Sequence, residues 1–284
     1  MSSAAAVFHG LFGRVCIYVM DKTMVPHGHR EGHLIFHVQG PTGEVVVDDR
    51  SYPLGPGQAV AVSPWQAHYY RHHPGQAPTI SLVLYIRPAW FLDANRQASS
   101  TLRFGRVGIE VTEYLHRIVH GTAHLMVDPD PLEGMIEDRI ASLTRAAFEQ
   151  SWQWTHKGDQ FVGPDLSSAL LTSRDYRIRN AVRLLQDRIG DTLELDEIAR
   201  DVGLSRPHFY KLFRQQMGVT PNVFLNTLRM ERAIERLATS HEPVADIGLD
   251  LGFSSQASFS RFFIANGVVA PSAYRRSVQL TTAG

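Results

Sequence analysis

Between Leu195 and Arg276 one short pattern occurs twice, and this repeat limits what the chain can fold into more than any other feature. Leu195, Ile198, Ala199, Val202, Gly203 and Leu204 align with Val244, Ile247, Gly248, Leu251, Gly252 and Phe253 at a constant offset of 49 residues. After the turn the second copy carries one more residue, so His208-Phe209-Tyr210-Lys211-Leu212-Phe213 aligns with Ser258-Phe259-Ser260-Arg261-Phe262-Phe263 at an offset of 50. Each copy reads as a short helix, a turn containing Gly, and a second helix. Gly203 suits a left-handed position after the first helix, Ser205 can cap the second, and Pro207 sits in its first turn, where a missing N–H costs little.

Phe209, Leu212 and Phe213 point inward together, as do Phe259, Phe262 and Phe263. The outward stripe of the second helix is then Arg206, Pro207, Tyr210 and Lys211 in the first copy, and Gln256, Ala257, Ser260 and Arg261 in the second. Polar side chains on such a stripe can reach base edges in a major groove, which makes these eight residues the DNA-binding candidates. Thr220-Pro221 opens a long helix between the copies, with Phe224, Leu228, Ala233, Ile234 and Leu237 on its apolar face, able to space two reading helices rigidly.

This arrangement resembles the AraC/XylS family of transcription regulators. The resemblance is carried by Leu195-Asp196-Glu197-Ile198-Ala199, Gly203-Leu204-Ser205, Phe213 through Gly218, Thr220-Pro221, Arg229, Ala233, Ile247-Gly248, Gly252-Phe253, Phe259, Arg261-Phe262-Phe263, Gly267, Pro271 and Tyr274-Arg275. It implies a DNA-binding domain of two helix-turn-helix motifs on one connecting helix, double-stranded DNA as partner, and RNA polymerase as a further contact. Phe263-Ile264-Ala265-Asn266 departs from the family pattern in lacking basic residues after the second reading helix, which implies weak phosphate anchoring there.

The formal net charge of the whole chain is zero, but it divides unevenly. Residues 1–173 hold 13 Lys and Arg against 16 Asp and Glu, and residues 174–284 hold 15 against 12. So small a basic excess means that DNA affinity must come from the placement of Arg and Lys along one face. No apolar run reaches 18 residues, so no membrane span is expected. Ala4 to Phe8 is apolar but short and without a preceding basic residue, which points to a cytoplasmic protein. The lone Cys16 lies in a strand-like run and reads as a buried thiol.

Val15 to Val19, Leu34 to Val38, Glu44 to Val47, Gln58 to Val62 and Ile80 to Ile86 are short β-rich runs separated by Gly and Pro, the pattern of a small sandwich or barrel. Of the 14 histidines, 12 precede residue 174. His27-x-His29-x-x-x-His33 is followed by Gly40, and Gly57 leads through Pro64 to His68; this spacing resembles the two cupin motifs. The resemblance implies that His27, His29, His33 and His68 converge in one pocket, with His33 standing where metal-binding cupins carry an acidic residue and Asp21 where they carry a Gly. Four imidazoles suit a divalent transition metal such as Zn, Fe, Ni or Cu and do not suit Ca or Mg. An organic effector held by the same residues is the other reading, with Trp65, Tyr69 and Tyr70 as candidate lining.

From Val107 the period becomes helical. Ile109, Leu115, Ile118, Val119, Thr122 and Leu125 form one stripe, stopped at Asp128-Pro129, and Asp130-Pro131 opens a second helix. In the family such a hairpin pairs two copies, which implies a homodimer. His116, His120 and His124 stand at i, i+4 and i+8, a spacing able to chelate a metal from one helix face and read here as a partly exposed face. Ser151 to Ser173 has no periodicity and reads as a linker, after which Ser173 caps a helix over Arg174 to Ile189.

The expected fold is therefore α+β: an N-terminal cupin-like β-barrel sensor over residues 1–100, a helical hairpin over 101–150, a linker over 151–173, and an all-α double helix-turn-helix domain over 174–284. The expected function is effector-responsive transcription regulation without catalysis. The rival of another class is a metal-dependent cupin dioxygenase or isomerase with an accessory helical domain, and a third is a helical adaptor for protein contacts.

Overall fold

The computed structural model describes residues 3–94, 102–128, 134–152, 175–191, 194–267 and 269–280. Its N-terminal half is built from nine strands: β1 (Ser3–Gly10), β2 (Gly13–Met20), β3 (Gly32–Gln39), β4 (Gly43–Val47), β5 (Arg50–Leu54), β6 (Gln58–Val62), β7 (His68–Arg71), β8 (Thr79–Ile86) and β9 (Gly108–Glu110). A tenth, β10 (Val278–Leu280), arrives from the far end of the chain. The larger sheet has the order β10-β1-β2-β8-β3-β6-β9, and the smaller has β5-β4-β7.

The larger sheet is buried on both faces, which is why its strands read as continuous apolar runs. Val15, Ile17, Leu34, Phe36, Leu82 and Leu84 face one core, shared with the helical hairpin α2 (Glu113–Val127) and α3 (Met135–Trp152). Cys16, Tyr18, Ile35, Val83 and Tyr85 face the other, toward the small sheet. A short helix, α1 (Pro88–Ala94), follows β8.

Two sequence-based expectations change. Ile109 belongs to β9, which pairs with β6, so the sensor's sheet runs past residue 100 and the helix begins only at Glu113 behind its cap Thr112. The first helix of the C-terminal domain, α4 (Tyr176–Asp187), is capped by Asp175, whose carboxylate accepts from the Arg177 N–H. Ser173 and most of the expected linker lie outside the described residues.

The repeat folds as two helix-turn-helix units. The first is α5 (Leu195–Asp201) with α6 (Arg206–Met217); the second is α8 (Val244–Asp250) with α9 (Gln256–Gly267). The helix α7 (Pro221–Thr239) connects them, and α10 (Pro271–Ser277) closes the domain. Gly203 and Gly252 both take left-handed φ, +70° and +81°. Ser205 stands at the cap of α6 without a side-chain capping bond.

The barrel and the helical domain pack directly on each other. The inner core continues through Met230, Ile234 and Leu237 of α7 to Phe259 and Phe263 of α9. Trp65 joins the core of the first unit. β10 pairs parallel with β1, Val7 opposite Val278.

Candidate functional site

His27, His29, His33 and His68 are all buried with their rings in contact, the first two on the stretch leading into β3, the third on β3 and the last on β7. His27 and His68 face each other across an isolated antiparallel bridge, with both backbone bonds made. Three of the four, His27, His29 and His68, offer ring nitrogens that all lie within 4.8 Å of one another. Among the described residues this is the group arranged to hold a metal ion.

Their backbone contacts set the tautomers. His27 Nδ1–H donates to the Val25 carbonyl at 2.8 Å and His68 Nδ1–H to the Gln66 carbonyl at 2.9 Å, because a carbonyl can only accept. Both rings therefore direct an Nε2 lone pair into the pocket, the arrangement by which outer contacts orient metal-binding imidazoles. His33 Nδ1–H donates to His68 Nε2 at 2.8 Å. Its own Nε2, like that of His29, is buried without a hydrogen-bond partner. Orphaned buried polar atoms cost free energy, which a ligand here would recover.

Burial also fixes the charge state. It lowers the His27 pKa to about 4 and that of His68 to about 3, and with the neighbouring imidazoles it holds His29 and His33 well below the usual histidine range. Neutral imidazole is the form that binds metal. The cavity, bounded by Tyr18, Met20, Ile35, Val45, Tyr70 and Tyr85 besides His27, His33 and His68, measures about 20 Å³, and His29 stands at their side without lining it. That volume takes one ion or water and falls far below the several hundred Å³ of organic-ligand pockets.

A second layer surrounds the pocket. Tyr85 stacks on His33 at 4.4 Å, and the Arg14 guanidinium lies 3.5 Å over the other side of the Tyr85 ring. Arg14 is buried and paired to Glu31 at 3.1 Å. Nothing in the local sequence marked Arg14, whose partners come from distant strands. Of the three aromatics expected to line the pocket, Tyr70 does so; Tyr69 instead accepts a bond from Arg71, and Trp65 stacks on Phe224 of α7 at 4.9 Å. His116 and His120 lie with ring centroids 4.1 Å apart on α2, outside the pocket.

On the helical side the eight DNA-binding candidates all fall on the outer faces of α6 and α9. Arg206, Pro207, Lys211, Gln256, Ala257 and Arg261 are exposed, with Tyr210 and Ser260 partly so. Phe209 and Phe213, like Phe259 and Phe263, are fully buried beneath them. Arg206 is held by Asp196 of α5 at 3.0 Å and Tyr210 accepts from Asn222. Arg229 of α7 donates to the backbone carbonyls of Ile189 and Asp191 and lies 5.3 Å from the Phe253 ring, so one side chain ties the segment after α4 to the turn of the second unit.

A helix-turn-helix domain family matches residues 198–277, and a cupin domain family matches 13–85. The regulatory protein PocR of Salmonella typhimurium is 35% identical over 107 residues, 38% of this chain and 35% of that protein. The transcriptional activator RhaS of Klebsiella pneumoniae is 23% identical over 252 residues, 86% of this chain and 85% of that protein. The chain thus spans about a third of PocR but most of RhaS. Among solved structures, an apo variant of ToxT from Vibrio cholerae superposes with a TM-score of 0.59 at 15% identity, over 93% of this chain and 97% of that one, and so shares the fold. ToxT has also been solved with an unsaturated fatty acid bound, at a TM-score of 0.53 and 14% identity, over 92% of this chain and 94% of that one. The cupin enzyme weighed from the sequence has no counterpart among these relatives.

Proposed function

Because this chain belongs to the AraC/XylS family of regulators, we propose that it binds specific double-stranded DNA through α6 and α9 and that an effector in the histidine pocket sets this binding. The observation that carries the DNA half is the pairing of Lys211 and Arg261. They occupy matching exposed positions on two helices mounted on one connecting helix. Each stands over buried aromatics that fix its helix, so each can enter a groove without reordering the core.

A transition-metal ion is the occupant the pocket favours. His27, His29 and His68 would hold it, with His33 as fourth ligand or as hydrogen-bond donor beside it. The ion would supply a charge and a set of short bonds that draw β7 and the stretch before β3 together. An organic effector is a second reading, supported by the cleft between the barrel and α7. It encloses about 380 Å³ between Arg14, Arg30 and Arg87 on one wall and Glu231, Ile234 and Glu235 on the other.

Association into a dimer through α2 and α3 belongs to the same proposal. Tyr114, Val127 and Met135 are exposed apolar residues on that hairpin. Contact with RNA polymerase would follow at the promoter and is tested by transcription with purified components.

The deciding experiment purifies the chain without a His-tag, selects DNA from a randomised pool, and measures metal by mass spectrometry in wild type and His29→Ala. A single enriched DNA sequence with stoichiometric metal lost in the variant supports the whole reading. No metal in either protein, with DNA selected, transfers the effector to the cleft. No enriched sequence removes the DNA function.

A further inference from the structure

The five residues His27 to Glu31 touch different things in alternation. His27 and His29 turn their rings toward His68, their ring nitrogens all within 4.8 Å of one another. The carbonyl of Gly28, between them, accepts from the buried Thr227 Oγ1 at 2.8 Å. Arg30 meets Glu231 twice, its backbone N–H at 3.2 Å from Oε1 and its guanidinium at 2.9 Å from Oε2. The His29 carbonyl accepts from the Trp65 N–H at 2.6 Å, and the Trp65 indole lies nearly parallel to Phe224, 15° from it.

Phe224, Thr227 and Glu231 stand at i, i+3 and i+7 of α7 and form a single stripe. The same helix carries the core residues of both reading units: Phe224, Leu225 and Leu228 pack with the first, Met230, Ile234 and Leu237 with the second. Each pocket ring on this stretch is therefore one peptide away from a group that grips the helix on which both readers depend. Trp65 also holds a left-handed φ of +64°, a conformation that a bulky residue keeps only when its surroundings impose it. Such strain marks the junction between pocket and helix.

We propose that the stretch His27–Glu31, with Trp65, is the relay by which occupancy of the histidine pocket resets the grip on α7 and so the placement of α6 and α9. The proposal rests on the reading of the pocket as effector site. Ring nitrogens now spread over as much as 4.8 Å would close to about 3.3 Å around an ion at ordinary zinc–nitrogen distances. His68 would release the His33 N–H in doing so. Ring rotation takes up part of that contraction, and the rest falls on peptides pinned to Thr227, Glu231 and Trp65. The effector then acts on DNA through its differential interaction with two seatings of one interface.

The test uses the full chain carrying Thr227→Val and Arg30→Ala, which spare the pocket. Zn²⁺ binding is followed by calorimetry, and affinity for a selected duplex by fluorescence anisotropy with and without Zn²⁺. The wild type should change its DNA affinity at least fivefold on Zn²⁺ binding. The double variant should bind Zn²⁺ within twofold of wild type and lose the response to below twofold, while Thr227→Ser, which keeps the hydroxyl, retains it. A double variant that responds like wild type, or a wild type that binds Zn²⁺ with no change in DNA affinity, overturns the relay. If the wild type binds no Zn²⁺, the reading of the pocket fails and the relay falls with it, an outcome distinct from Zn²⁺ binding without a DNA response, which overturns the relay alone. Should the double variant fail to fold, the single Arg30→Ala, at a half-exposed side chain, is measured in its place by the same criteria.

Discussion

Single residues decide both halves of the chemistry. Lys211 and Arg261 are exposed on α6 and α9. Arg261→Ala should cost about 1 to 3 kcal/mol on the selected site and less on random DNA, read by competition gel shift; equal losses on both would make Arg261 a phosphate contact. Five histidines shielded from solvent give a second prediction. Burial lowers His9 and His27 to about 4 and His68 to about 3, and holds His29 and His33 well below the usual range. As pH falls below about 6.5 the unfolded chain takes up protons that the folded one refuses, so each such group removes stability at up to about 1.4 kcal/mol per pH unit, a loss fully absent above that range. Glu231, raised by burial to about 7, acts with the opposite sign between its ordinary value and neutrality, but it is one group against five. Metal-free protein should therefore melt at a lower temperature at pH 5.5 than at pH 7.5, and an unchanged midpoint would mean that the rings are open to protons. At this scale the clustering of the four histidines was legible through the resemblance of their spacing to the cupin motifs. Trp65 and Arg14 were not, since what they face is decided by α7 and by β8, far away in sequence.

Among the elements, the repeat made the helical domain legible almost completely. What it could not show is that the segment ahead of α5 packs against the turn of the second unit. The backbone of Gly252 lies so close to Asp191 that an added Cβ would stand 2.5 Å from its carbonyl oxygen, whereas Gly203, the matching turn in the first unit, faces open space. Both have left-handed φ, so an alanine costs about 1 to 2 kcal/mol at either from conformation alone. Gly252→Ala should exceed Gly203→Ala by a further margin of about 1 kcal/mol or more, because the 2.5 Å approach forces the backbones apart. Chemical denaturation of the pair measures that difference, and equal costs would show that the segment around Asp191 moves away freely. Among the strands, β5 was missed because Pro53 read as a breaker; it is tolerated because β5 is the outer strand of its sheet. β9 was missed because three residues of strand directly before a helix leave no period of their own.

For the molecule as a whole, two readers on one connecting helix should protect two successive major grooves on one face of the DNA, about one turn or 34 Å apart on straight duplex. Hydroxyl-radical footprinting checks this, and one protected segment per domain would leave α9, which has no basic residue in its last turn, outside the contact. If the hairpin pairs two copies, sedimentation should give a dimer that Tyr114→Glu, at an exposed apolar position, reduces to monomer while DNA selection persists at lower affinity. The parallel pairing of β10 with β1 bears on how the molecule is made. Val278 is synthesised about 270 residues after Val7, its partner. Until then the outer edge of β1 is an unpaired strand on a growing chain, open to the wrong neighbour on a crowded ribosome. A ribosome that stops early leaves that edge uncovered and ready for capture by chaperone or protease, so a nascent chain without its DNA readers carries its own mark of incompleteness.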